Sequence, residues 1–336
     1  MSTTRTEISS IGKEKFIDLL FENSGYTNER TIRLSTKGEY CTSHKILLEG
    51  VNFDLVYTPL KHLGYKAALC ALGEIYALLR QPISLSLNLG VSSRFCAEDI
   101  TILWTGFVTA AREHSIKHLS LDLNPSVTGL CISVSSAGLQ KKSIIAKVPA
   151  PKNMDLICLT GHIGAAYMGL HVLEREKVSF IKESSQQPDL TGYKDILAAY
   201  LSPTINPSIV TRFIKEEIYP SGGYFLTKGL GAAMLDLVKD SGFGAKVYLE
   251  RIPLSSESLK MAQEINMDMI TAAINGGDDY KFIFTVPIEK HDVIRKEFQD
   301  YDIIGHLARP EVGAVLVTPE GSELTVRAQG YEAAED

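Results

Sequence analysis

The run Ile83-Ser84-Leu85-Ser86-Leu87-Asn88-Leu89-Gly90-Val91 alternates apolar and polar residues over its whole length. A strand of period two buries one face and leaves the other to polar surroundings, so it belongs to a sheet covered on one side. What flanks it has the other period. From about Lys61 to Leu79, Tyr65, Ala68, Leu69, Leu72, Ile75, Tyr76 and Leu79 recur at i, i+3, i+4 and i+7, the stripe of an amphipathic helix that Pro82 stops. A second helix is expected from about Ala97 to Glu113, with Ile100, Leu103, Trp104 and Phe107 on one face. Strands are expected near His118 to Leu123 and Gly129 to Ala137, and a short one at Ile46 to Leu48. Strands and helices that alternate in this way imply an α/β fold.

The alternation restarts after Lys141 to Asn153, a lysine-containing stretch with Pro149 and Pro151 that reads as a linker. Asp155 to Thr160 is an apolar strand, Gly161-His162-Ile163-Gly164 a turn, and Ala165 to Lys177 a helix. Short helices are expected near Tyr193 to Leu201 and Ser208 to Glu217. A longer helix, Leu230 to Ser241, is closed by a left-handed cap at Gly242. Strands follow at Lys246 to Leu249, Tyr280 to Val286, Ile303 to Leu307 and Ala314 to Thr318. The expected domains are 1–148 and 149–336.

Composition excludes several classes of function. Apolar residues make up 45% and charged residues 22% of 336, as in globular proteins, and the net charge of -6 gives no general attraction to nucleic acid or an anionic membrane. The run from Met1 to Lys15 is polar, without the apolar core of a secretion signal, and a cytoplasmic protein is expected. Cys41, Cys70, Cys96, Cys131 and Cys158 are scattered and form no C-x-x-C pair, which argues against a zinc site or a disulfide framework. His114 and His118 stand four apart, but the segment between them reads as a loop, not as one helical face. The glycines at 222–223 and 229–231 lack the order of a phosphate-binding P-loop.

Five segments carry a more specific signal. Leu48-Glu49-Gly50-Val51-Asn52-Phe53-Asp54, Pro59 to Lys66, Thr160-Gly161-His162-Ile163-Gly164, Asn275-Gly276-Gly277-Asp278-Asp279-Tyr280 and Ala328-Gln329-Gly330-Tyr331 occur in the order and at the spacing of the thiamine-monophosphate kinase family. The chain resembles that family, within the aminoimidazole-ribonucleotide-synthetase-like superfamily, over roughly residues 40 to 335. The resemblance implies a two-domain α/β (α+β) fold: an N-terminal domain that pairs in a homodimer to form a barrel-like sheet, and a C-terminal α/β sandwich. It also implies transfer of the γ-phosphoryl group of ATP onto thiamine phosphate, with Mg²⁺ as the required cation.

Phosphoryl transfer between anions needs positioning and cations that neutralise phosphate oxygens, and Mg²⁺ is held by carboxylates. The family's acidic positions are poorly kept here. Its G-I-G-D-D falls on Leu34 to Gly38, with both aspartates gone and Lys37 present. Its S-T-D falls on Ser43-His44-Lys45, and its D-x-S-D-G on Phe225-Leu226-Thr227-Lys228-Gly229. Its N-L-S-D keeps a carboxylate at Glu74, and its G-G-D-T keeps Asp122. The family's arginine near the junction aligns with Val148, and its glutamate after E-D-Y with Lys281. A lysine about 4 Å from Mg²⁺ would repel it by about 8 kcal/mol at an effective dielectric near 20. Glu74 and Asp122 are therefore a residual metal set at most. Lys37, Lys45 and Lys228 are cations that can meet a phosphate directly.

On the nucleotide and phosphate side the resemblance implies Asp122, Thr227, Lys228 and Lys45, and on the substrate side Asn52, Asp278 and Tyr331. The expectation is a homodimeric family member that binds nucleotide or thiamine phosphates but is weak or non-catalytic as a kinase. Two alternatives stay open: a phosphotransferase rebuilt for another small phosphorylated substrate, and a non-catalytic partner of an active paralogue.

Overall fold

The computed structural model describes residues 5–22, 24–27, 38–182, 190–328 and 331. They form two compact units, one of Met1–Tyr76 with Arg80–Lys142 and the other of Ser143–Asp336 with Ala77–Leu79.

The first unit is built on four strands, β1 (Gly38–Leu48), β2 (Gln81–Val91), β3 (His118–Pro125) and β4 (Leu130–Lys141), in the order β1-β4-β2-β3. β2 and β3 run parallel and the other pairs antiparallel. Helix α1 (Leu60–Ala77) joins β1 to β2, and α2 (Ala97–Glu113) crosses from β2 to β3. The period-two reading holds: Leu85, Leu87 and Leu89 are buried together with Leu119, Leu121, Leu123, Leu130, Ile132 and Val134. β1 is far longer than Ile46 to Leu48 because it pairs with β4 along its entire length. It is an edge strand whose Thr42, His44, Ile46 and Leu48 are exposed, so its sequence carries almost no hydrophobic alternation.

Within this unit the Nδ1 atom of His114 lies 2.9 Å from the hydroxyl of Tyr76, both side chains being buried. This explains why the histidine pair at 114 and 118 is no metal site: His114 ends α2 inside the core. Burial pushes its imidazole down to about 4 from 6.5, against a smaller opposing effect of Glu113. The group therefore contributes stability that is complete above about pH 6.5 and is lost as pH falls towards 4, at roughly 1.4 kcal/mol per pH unit. Urea denaturation of His114→Gln is expected to show a flatter stability profile between pH 6.5 and 4.5 than the parent. An identical profile would contradict this.

The second unit holds a seven-stranded sheet in the order β11-β10-β7-β9-β5-β8-β6. Its strands are β5 (Leu156–Thr160), β6 (Gly222–Leu226), β7 (Gly244–Tyr248), β8 (Lys281–Val286), β9 (Tyr301–Ala308), β10 (Ala314–Val317) and β11 (Glu323–Thr325). Only β7 and β10 pair in parallel. Helices α3 (Ala165–Lys182), α4 (Leu230–Ser241) and α5 (Met269–Asn275) lead to the candidate site. Gly242 caps α4 in the left-handed region, as expected. β6 and α5 are not signalled by periodicity. β6 is a five-residue edge strand opening on two glycines, and α5 is a seven-residue helix whose sign is Asp268, which accepts from the amides of Ile270 and Thr271. No described helix is long and apolar enough to cross a membrane.

Candidate functional site

In the first unit, Lys45 of β1 and Glu74 of α1 meet. Positions 43, 45 and 47 of β1 face α1, where the Ser43 hydroxyl donates to the Ala71 carbonyl at 2.7 Å. One turn further along α1, Lys45 Nζ lies 2.6 Å from Glu74 Oε1. The lysine thus neutralises the carboxylate beside it.

Asp122 stands elsewhere. Register places Lys45, Val134, Leu87 and Leu121 in one row on the face that carries the buried leucines, and Ile46, Ser133, Asn88 and Asp122 in the next row on the opposite face. β1 and β3 are also separated by three strand spacings, about 14 Å. The Asp122 carboxylate accepts locally, from the Leu123 amide at 3.0 Å and the Asn124 side chain at 3.0 Å. Glu74 and Asp122 therefore do not converge on one ion. No group of three or more His, Cys, Asp or Glu among the described residues could hold a metal. The donor set described does not fit Mg²⁺. Lys37 lies outside the described residues. Asn52 closes a turn, its Oδ1 accepting from the Leu48 amide at 2.9 Å.

In the second unit, Thr227 and Lys228 follow β6 and face the turn after α5. The two loops are joined through backbone: the Asp278 amide donates to Thr227 O at 3.1 Å and the Tyr280 amide to Leu226 O at 3.1 Å. Their approach requires glycine. A Cβ on Gly277 would sit 2.8 Å from Thr227 O, and one on Gly229 would sit 2.5 Å from Ile274 O. Between the loops lies a cavity of about 530 Å³ lined by Thr227, Lys228, Asn275, Gly276, Gly277, Arg327 and Ala328. Among the described residues its lining has two cations and no carboxylate. Asp278 and Tyr280 have positive φ (56° and 54°), costly for non-glycine residues and of a kind that gathers at ligand sites. Tyr331 donates from its hydroxyl to Asp236 Oδ1 on α4 at 2.8 Å, and burial together with that carboxylate pushes the phenol up to about 12.

Asp279 has a structural place. It is buried, and its Oδ1 accepts from the Gly164 amide at 2.7 Å, where α3 begins. The Thr160 to Gly164 turn therefore presents its helix start to a protein carboxyl group, which leaves that end no room for phosphate. Lys281 is half-buried beside Gly161, and desolvation lowers its pKa.

No family model matches the chain. Among curated proteins it is 26% identical over 288 residues to the thiamine-monophosphate kinase of Buchnera aphidicola subsp. Acyrthosiphon pisum, covering 84% of this chain and 83% of the relative. The chain is similar to thiamine-monophosphate kinases. A putative hydrogenase expression/formation protein of Methanocaldococcus jannaschii is 20% identical over 285 residues, 82% of this chain and 79% of that one. In fold, the thiamine-monophosphate kinase structure from Aquifex aeolicus matches with a TM-score of 0.71 at 20% identity, over 92% of this chain and 97% of that chain. A structure described as AaThiL complexed with AMPPCP and TMP matches with a TM-score of 0.71 over 96% of this chain and 97% of that one, at 20% identity. The architecture is the aminoimidazole-ribonucleotide-synthetase-like α/β fold. Arg327 and Asn275 line the cavity and are candidate site residues that sequence reasoning missed. Arg327 lies just before the last motif, and nothing in its neighbourhood marks it.

Proposed function

We propose that this chain binds small phosphorylated ligands on the family framework, while Mg²⁺-assisted transfer of a phosphoryl group from ATP to thiamine phosphate is weak or lost. The observation that carries the proposal is the 2.6 Å pair of Lys45 and Glu74, which puts an ammonium group where a divalent ion would need an oxygen anion. The AMPPCP in the AaThiL complex supports a nucleotide as one ligand class. Lys228 and Arg327 support a phosphate held by protein cations. Exposed Ile46 and Leu48, on a sheet face carrying Asn88, Ser133 and Asp122, support pairing with a second copy of the chain.

Turnover of ATP with thiamine phosphate and Mg²⁺ is the test. Rates at background are expected, and a rate in the ordinary enzyme range of about 1–10³ s⁻¹ overturns the reading. Lys45→Met is expected to change stability by less than about 1 kcal/mol, because the pair is partly exposed and screened by solvent. It should leave the rate at background, since removing one cation does not rebuild a carboxylate set. Chemical denaturation checks the first expectation and the same coupled assay the second.

A further inference from the structure

We propose that the groove between the helix Lys13–Glu22 and α2 is a site for a small monocarboxylate with an apolar tail, such as a medium-chain fatty acid, held at its charged end by Arg112. The groove lies within the first unit and uses none of the candidate site residues above, so the inference is independent of the function proposed there. It measures about 290 Å³, at the small end of ligand pockets. Phe16, Leu20, Trp104 and Val108 are its buried lining, and Leu19 is 44% exposed beside them. Polar contacts fix the helix Lys13–Glu22 against α2 on both sides of the groove. Before the helix, the Ala97 amide donates to Thr6 O at 2.8 Å and Arg5 pairs with Asp99 at 2.7 Å. Further along, Trp104 Nε1 donates to Leu20 O at 3.0 Å, and Arg112 Nη2 to Ser24 O at 2.6 Å. These contacts set the two segments side by side in the same direction and define the space between them.

The lining suits one class of ligand. From Thr101 to Arg112 the groove follows α2 for about 16 Å, the shape of an extended chain, not of a compact ring. Thr101, Thr105 and Thr109 donate their hydroxyls to the carbonyls of Ala97, Thr101 and Thr105 at 2.8 Å each. Their protons are thus already placed within the helix, and the long wall offers mainly hydrocarbon. Among the described residues Arg112 is the only charged group in the lining, and no carboxylate pairs with it. Its bond to Ser24 O engages one nitrogen and leaves the rest of the guanidinium to meet two carboxylate oxygens. A single cation matches a monoanion, whereas an amine would be repelled. The tail gains from each further methylene removed from water.

Trp104 is the chain's only tryptophan, so its emission reads the groove directly. Titration of the full chain with octanoate, butyrate and 1-octanol, each below its micelle or solubility limit, tests the proposal. Octanoate is expected to shift the emission saturably. Butyrate keeps the charge with little tail and 1-octanol keeps the tail without the charge, and each should bind at least tenfold more weakly. Arg112→Met should weaken octanoate at least tenfold and leave 1-octanol unchanged. Thr105→Phe, at an exposed position, fills the groove and should abolish the response while Arg112 remains. Melting curves like the parent's will show that both variants fold. No saturable response to octanoate, 1-octanol binding as tightly as octanoate, or binding indifferent to both variants overturns the site. A lower particle mass for Thr105→Phe than for the parent would show a second copy of the chain seated on the groove, and overturns it as well.

Discussion

Valine in place of Gly106 will leave the first unit unfolded, and alanine there will cost about 3 kcal/mol or more. Helices α1 and α2 cross backbone to backbone. A Cβ on Gly106 would lie 1.9 Å from Lys61 O and 3.1 Å from Tyr65 N, and a Cβ on Gly64 would lie 1.9 Å from Leu103 O. Ordinary overpacking costs about 1–3 kcal/mol because side chains can shift. Here the clashing atoms are main chain, so relief means moving the helices apart and opening the core around Leu63, Leu103 and Phe107, each at most 1% exposed. A whole domain is stable by only about 5–15 kcal/mol. Helix propensity alone has the opposite sign, since alanine is favoured over glycine by about 1 kcal/mol inside a helix. Urea midpoints of Gly106→Ala and Gly64→Ala decide between the two effects. An unchanged or raised midpoint would contradict the close crossing.

The second large effect concerns Asp279. Desolvation pushes its carboxyl up to about 8 from 3.8, and Asp278 adds to this. The Gly164 amide, Lys281 and the Ala166 amide act against it. The folded state thus binds this proton more tightly than the unfolded state. Its contribution to stability is complete below about pH 4 and is lost as pH rises towards 8, on the order of several kcal/mol across that window. Asp279 Oδ2 has no hydrogen-bond partner, so the neutral form is the one the site tolerates. Asp279→Asn keeps an oxygen for the Gly164 amide and removes the titration. Stability of the variant is expected to be nearly flat between pH 4.5 and 8, and to exceed that of the parent at pH 8. A parent whose stability does not fall across that range would contradict the assignment.

Much of the fold was legible because its signal is periodic. α2 and α4 have the expected bounds, and β2 and β4 lie where alternation placed them. The elements that were missed or shortened have reasons in exposure and length. β1 exposes one face to solvent, β6 begins with two glycines, and α5 is too short for a stripe. In the candidate site, Lys45 and Lys228 stand out only through the resemblance, which sets them against aspartates of the thiamine-monophosphate kinase family. What one chain cannot reveal is who meets whom. Glu74 lies 29 residues from Lys45 yet pairs with it, and Asp122 is turned away by the parity of its strand. Arg327 joins Lys228 across about a hundred residues of chain, with no spacing to announce it.

Calorimetry of an ATP analogue with and without Mg²⁺ bears most directly on the proposed loss of a divalent-ion site. Affinity that changes less than about threefold on adding the ion is the expected result. Affinity that rises tenfold or more, about 1.4 kcal/mol, would show that a working metal site survives and would contradict the account.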